Sequence, residues 1–237
     1  MFLWGLWIDP LYLVLFVATL IISAAAQLFI RSQFGKWSGI RNSSGLAGVQ
    51  VGERLVGQLD FGGNRGAATG ITFKIVPGDL SDHFDPRTKQ VGLSQQVASR
   101  DSVAAMAVTA HEVGHAQQDA EGTVAMRARA FLVPAVTFSP TVSYILIFMG
   151  LIFNLTGLFW LGIVVFGLMV VFSILTLPVE IGASRRALVM LRETGLMTTE
   201  QDEQGVKRVL TAAAMTYVAA AVTSILTLLY YISIARR

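Results

Sequence analysis

The sequence predicts a mainly α-helical integral membrane protein in which four transmembrane helices carry a smaller α+β portion on the cytoplasmic side. Three observations lead there. Of the 237 residues, 54% are apolar and only 14% are charged, with a mean hydropathy of +0.61, whereas an ordinary soluble domain carries about 25% charged residues. Four segments are long and apolar enough to cross a hydrocarbon core that takes about 20 helical residues. A His-Glu-Val-Gly-His cluster occupies residues 111 to 115, in the more polar part of the chain.

The first span is Pro10 to Ile30. The Ser23-Ala24-Ala25-Ala26 run resembles a signal-peptidase site, but residues 1 to 9 carry no Lys or Arg, so an uncleaved helix is expected. Trp4, Trp7 and Tyr12 are placed to form an interfacial aromatic belt. Residues 31–130 follow as a cytoplasmic segment. In it, Leu46, Val49, Leu55 and Val56 mark one side of a helix over Asn42 to Gln58, and Gly62 to Gly66 marks a loop. Ile71 to Val76 alternates as a half-buried strand, Pro77-Gly78-Asp79 turns the chain, and Gln90 to Ser94 forms a second strand. The Ala-rich, Pro-free stretch from Ser102 to Gln118 favours a helix, although Gly114 costs about 1 kcal/mol there. A transmembrane hairpin over residues 131–177 holds the spans Phe131 to Phe153, with Pro134 and Pro140 inside it, and Leu158 to Leu177. A second cytoplasmic segment, 178–208, precedes the last span, Val209 to Ala235, within residues 209–237. No charge falls inside any span.

Four spans put both termini on one side and the 31–130 and 178–208 segments together on the other. All of the 18 Lys and Arg residues except Arg236 and Arg237 lie in those two segments, so the positive-inside rule assigns them to the cytoplasm. The basic balance then needs no nucleic acid to explain it. The absence of Cys excludes disulfides and a thiolate metal site.

Side chains at i and i+4 share one helix face, so His111 and His115 can reach a single metal ion with Glu112 beside it. Zinc takes two neutral imidazoles well, and an open position can hold a water acidified to a pKa of about 7. Glu112 is then the candidate general base. The bland alternative is a pair of surface histidines on an ordinary helix. With no Cys and only His83 left among the histidines, a carboxylate is the better third ligand, and Glu180 stands out. It follows the third span at once, with Pro178 near the first turn of an expected cytoplasmic helix. A lone carboxylate in that apolar setting calls for a metal or an Arg partner. The competing reading is a Glu that complements a helix N-terminus or pairs with Arg185. Asp119 and Glu121 are weaker ligand candidates, expected on a solvated face. Asp82-His83-Phe84-Asp85-Pro86 reads either as a loop held by Asx-type hydrogen bonds or as a segment bringing His83 or Arg87 to stabilise an oxyanion. Gln90 to Ser94 reads either as a strand edge that holds an extended substrate or as part of a hairpin that roofs the helix. Gly62 to Gly70 is either a mobile lid or a linker.

Val76-Pro77-Gly78, Leu80 through Thr88, Val91 to Ser94, Ala110 through Gln118, and Leu177 to Glu180 with Ala183 through Ala187 together resemble the YugP-like membrane zinc metallopeptidases, a bacterial group related in outline to gluzincin membrane proteases such as the HtpX type. The resemblance covers nearly the whole chain. It implies a zincin-like α+β catalytic portion, zinc on His111, His115 and Glu180, and Glu112 as the catalytic residue, in a multi-pass protein of the bacterial inner membrane. At Gly182 a small polar residue such as Asn or Asp is expected instead, so Ser184 or a water has to take over its support of the ligands. The expected activity is zinc-dependent endopeptidase cleavage of protein or peptide substrates, membrane or misfolded proteins among them. The alternative is a non-catalytic membrane scaffold with a structural zinc, marked by a fourth protein ligand such as His83 or Asp119. A metal transporter is disfavoured, since no ionisable residue lies inside a span.

Overall fold

The computed structural model describes residues 9–236; Trp4 and Trp7, expected in the aromatic belt, lie outside them. In order come α1 (Pro10–Ser38), α2 (Gly48–Gln58), a 3-10 turn (Gly66–Thr69), β1 (Thr72–Val76), β2 (His83–Asp85), β3 (Gln90–Ser94), α3 (Gln95–Ser99), α4 (Val103–Ala120), α5 (Val124–Ile152), α6 (Thr156–Glu193) and α7 (Glu200–Ala235). Helices α1, α5, α6 and α7 are each long and apolar enough to cross a membrane.

These four helices run past the apolar segments that announce them. Helix α6 continues through Pro178 as one helix to Glu193, where the sequence suggests a span followed by a separate cytoplasmic helix. A proline inside a helix costs about 3 kcal/mol, but unpaired backbone at membrane depth costs several kcal/mol per group, so the helix persists. Helix α5 likewise passes Pro134 and Pro140 without a break. Between α5 and α6, Asn154 takes φ 54°, and Leu155 N–H donates to Gly150 C=O at 2.9 Å. Helix α7 is preceded by Thr199, whose Oγ1 accepts from Asp202 N–H at 3.1 Å. Acidic Glu200, Asp202 and Glu203 occupy its first turn, where negative charge suits the helix dipole.

The chain divides into two compact units. One comprises the residues up to Gln27, Ala128–Leu177 and Thr216–Arg237. Its outward side chains are large and apolar, including Leu13, Ile21, Phe131, Phe138 and Val164, as a lipid environment requires. Ile147, Phe159 and Ile163 pack inside it. Ser139 Oγ donates to Val165 C=O at 2.7 Å and Ser143 Oγ to Gly162 C=O at 2.9 Å, the interhelical bonding that small polar residues provide in membranes.

The other unit comprises Leu28–Arg127 and Pro178–Met215. Its core surrounds α4, whose Val103, Ala104, Met106, Ala107, Ala110 and Val113 are fully buried against Phe34, Trp37, Val51, Leu55, Leu93 and Leu191. A helix apolar on nearly every side has to sit centrally. The helix expected from Asn42 starts only at Gly48. Asn42 Nδ2 donates to the carbonyls of Leu46 and Ser102, at 3.0 and 3.3 Å, and Ser44 Oγ donates to Asn42 Oδ1 at 2.8 Å. Such local side-chain bonds compete with helix formation.

The sheet has three strands where the sequence announces two. Strand β1 pairs with β3 in parallel, from Thr72↔Gln90 to Val76↔Ser94. Strand β2 pairs with β3 antiparallel, from His83↔Gly92 to Asp85↔Gln90. The order β1-β3-β2 corrects two expectations: Gln90–Ser94 is the central strand, with no free edge for a substrate, and it does not form a hairpin with β1. The hairpin is β2-β3. At its turn, Asp85 accepts from Arg87 N–H and Thr88 Oγ1, both at 2.9 Å, so the Asx bonding is present while His83 itself lies in a strand.

Candidate metal centre

Helix α4 is capped by Ser102, whose Oγ accepts from Ala105 N–H at 3.1 Å. From there the helical repeat sets the His111 and His115 rings side by side, centroids 4.7 Å apart and nearly perpendicular. Gly114 lies against α6: a Cβ there would stand 2.6 Å from Ala183 C=O. Only glycine lets the two backbones approach this closely. Glu180, one turn before Ala183 on α6, is thereby brought to the histidines.

Glu180 Oε2 lies 3.2 Å from His111 Nε2 and 3.5 Å from His115 Nε2. Among the described residues, these three bring His, Asp, Glu or Cys donor atoms together, all within 4.8 Å of one another. Donors bound tetrahedrally at about 2.0–2.2 Å stand roughly 3.3 Å apart, so two imidazole nitrogens and one carboxylate oxygen in this arrangement fit a zinc ion. The site is largely buried: Glu180 is 2% exposed and His115 7%. Burial pushes the His115 imidazole down, but its bond to Glu180, the charges of Glu112 and Glu180 and its bond to Gln118 outweigh that, and its pKa is raised. The pocket therefore favours positive charge.

The remaining ring nitrogens are held. His115 Nδ1 and Gln118 Oε1 are 3.0 Å apart, and Gln118 Nε2 donates to Val179 C=O at 2.8 Å, tying α4 to α6. His111 Nδ1 meets Ser184 Oγ at 3.2 Å. With both Nδ1 atoms occupied, both Nε2 atoms face Glu180, the arrangement that outer partners of metal-binding histidines provide. Gln118 is absent from the sequence-derived site. Its signal is the i+3 spacing from His115, which places both on one helix face. It also answers the departure at Gly182: a Cβ there would lie 2.6 Å from Gln118 Nε2, so glycine leaves room for the amide. Gln118→Ala is expected to weaken zinc binding about 10–100-fold, read by competition with a chromophoric chelator.

Glu112 is 7% exposed and has no hydrogen-bond or ion-pair partner among the described residues, although its charge reaches His115. His83 is exposed, with Nδ1 2.9 Å from Ser81 C=O, and is not one of the metal-donor group; Arg87 sits in the turn after β2, its N–H donating to Asp85. Asp119 pairs with Lys89. Glu121, expected on a solvated face, holds Arg186 through two bonds of 2.7 Å. Glu180 lies in the interior of α6, which removes the helix N-terminus reading, and the two histidines are among its partners.

A family model described as "putative neutral zinc metallopeptidase" matches residues 12–236. The chain is also 38% identical over 224 residues, 94% of its length, to "Putative membrane protease YugP" of Bacillus subtilis (strain 168), covering 96% of that protein. No solved structure matches it.

Proposed function

Since this chain belongs to the neutral zinc metallopeptidase family, we propose that it is an integral membrane endopeptidase whose site opens to the cytoplasm, with zinc held by His111, His115 and Glu180 and with Glu112 as its general base. The observation that carries the reading is the meeting of three donors from α4 and α6, His115 and Glu180 buried and His111 partly so, beside the buried carboxylate of Glu112, which has no hydrogen-bond or ion-pair partner among the described residues. Zinc, when bound, supplies Lewis-acid polarisation of a carbonyl and acidifies water. Glu112 takes the proton of the attacking water on a carboxylate oxygen and delivers it to the leaving amine, a transfer worth about 10²–10⁴ in rate. Ser184 and Gln118 fix the two imidazoles, and burial strengthens the charge interactions in the site.

A non-catalytic scaffold with a structural zinc is the weaker reading, because closed sites take four protein ligands and three donors meet here. Hydrolysis of an unfolded, fluorophore-quenched protein by the detergent-purified chain tests the proposal. Chelation abolishes the activity and zinc restores it if the reading holds; activity that survives removal of all zinc contradicts it. The cytoplasmic orientation is tested separately. The chain has no Cys, so Arg65→Cys offers a single thiol at an exposed position. A membrane-impermeant maleimide added to intact cells is expected to label it only after permeabilisation; labelling before that places the segment outside.

A further inference from the structure

The unit built from the apolar parts of α1, α5, α6 and α7 contains a crevice of about 430 Å³ to which all four helices contribute. Its lining carries no charge: Tyr12, Tyr144, Tyr230 and Tyr231 are joined only by Ile, Leu and Phe side chains. Beyond the tyrosine hydroxyls these walls offer no hydrogen-bond partner, so they select an apolar occupant. The crevice sits at one end of the unit. Tyr12 lies in the first turn of α1, Ile152 closes α5, Phe159 lies in the first turn of α6, and Ile234 is the last residue but one of α7. A turn such as the one joining α5 to α6 stays out of lipid hydrocarbon, which sets this end at the interface. Tyrosines collect at that level, with the ring among the chains and the hydroxyl among the headgroups.

Size and continuity specify the occupant further. The α5 wall runs from Tyr144 to Ile152, eight steps of 1.5 Å or about 12 Å. Over that length the volume has a cross-section of about 36 Å², under half of the roughly 80–110 Å² taken by a helix 10–12 Å across. A helix does not enter it, whereas a flexible hydrocarbon chain does. Tyr12, Tyr144, Ile145 and Phe148 are also among the exposed large side chains of the unit, so the crevice opens onto the same surroundings as the lipid-facing surface. Left unfilled, it would forfeit the packing contacts of every wall atom. Helix α1 has most to gain from filling, since it is the least buried of the four long helices. At this end it meets α7 through Tyr12 on Tyr230, ring centroids 5.5 Å apart. The opposite wall is firm: Tyr231 stands edge-on to Phe166 at 5.5 Å, and Ile147 and Phe159 belong to the buried core.

We propose that this crevice holds one acyl chain of a membrane phospholipid, its ester end level with the tyrosine hydroxyls, and that the chain completes the packing of α1 on α5 and α7. The inference is independent of the peptidase reading. The test compares the parent with Ile145→Trp and Leu151→Trp, which fill the crevice from α5, and with Val164→Trp, at an exposed position of α6 outside it. Each protein in detergent is titrated with palmitoyl-oleoyl phosphatidylglycerol, lipid per chain is counted by native mass spectrometry, and circular dichroism checks the helices. The parent is also placed in vesicles of phosphatidylethanolamine and phosphatidylglycerol doped with a phosphatidylglycerol that carries a photoreactive group on its chain, and labelled residues are mapped. The parent and Val164→Trp are expected to retain one lipid, and the two crevice variants to bind it about 10-fold more weakly or worse, as overfilling a packed site costs. Labelling is expected to concentrate on residues 144–152 and 230–234, a result that stands even if a variant fails to fold. Equal retention by all four proteins, or labelling spread evenly over exposed side chains such as Phe138 and Val164, marks surrounding lipid only and overturns the site. Self-association of the parent that both crevice variants abolish, with lipid retention unchanged, makes the crevice an interface between copies and overturns it as well.

Discussion

Glu112→Gln is expected to keep its zinc and lose hydrolysis by about 10²–10⁴-fold. The amide has the size of the carboxylate but no useful affinity for a proton, so the substitution removes the base and leaves the volume filled. Glu112 has no hydrogen-bond or ion-pair partner among the described residues, so the neutral side chain strands no buried group of the opposite charge. The ligands keep their own supports, Ser184 on His111 and Gln118 on His115. Single-turnover assays on the zinc-loaded variant give the result. Turnover at the parent's rate would remove Glu112 from the chemistry and leave the family membership standing.

The four helices long and apolar enough to cross a membrane and the turn that sets His111 beside His115 were legible in the sequence because each is a local pattern: a long uncharged run in one case, a four-residue repeat in the other. Helix ends were not legible, since hydropathy marks where lipid begins and ends while hydrogen bonding carries α6 through Pro178 to Glu193. That continuity sets Glu180 in a helix interior with α4 against it. Strand β2 escaped notice because three residues among turn formers show no alternation, and without it β3 reads as an edge. Gln118 was overlooked for a related reason: a glutamine has no chemistry of its own to announce, and its role arises only when α6 presents Val179 C=O on one side and α4 presents His115 on the other. Gly114 and Gly182 likewise acquire their meaning from the neighbouring helix.

Removing Glu180 has the largest expected effect on metal binding. Its Oε2 is the atom shared by both imidazole Nε2 groups, and its loss leaves two histidines where zinc requires a further protein donor. The weakening should exceed the 10–100-fold that follows loss of an outer partner. Alanine is the best helix former, so α6 is expected to stay intact, which circular dichroism checks. Zinc per chain, measured by atomic emission in the parent and in Glu180→Ala after exchange into metal-free buffer, is therefore the most direct test of the His111, His115 and Glu180 centre. About one zinc in the parent and almost none in the variant is the predicted result for a three-donor site; equal zinc in both, or none in the parent, would contradict it.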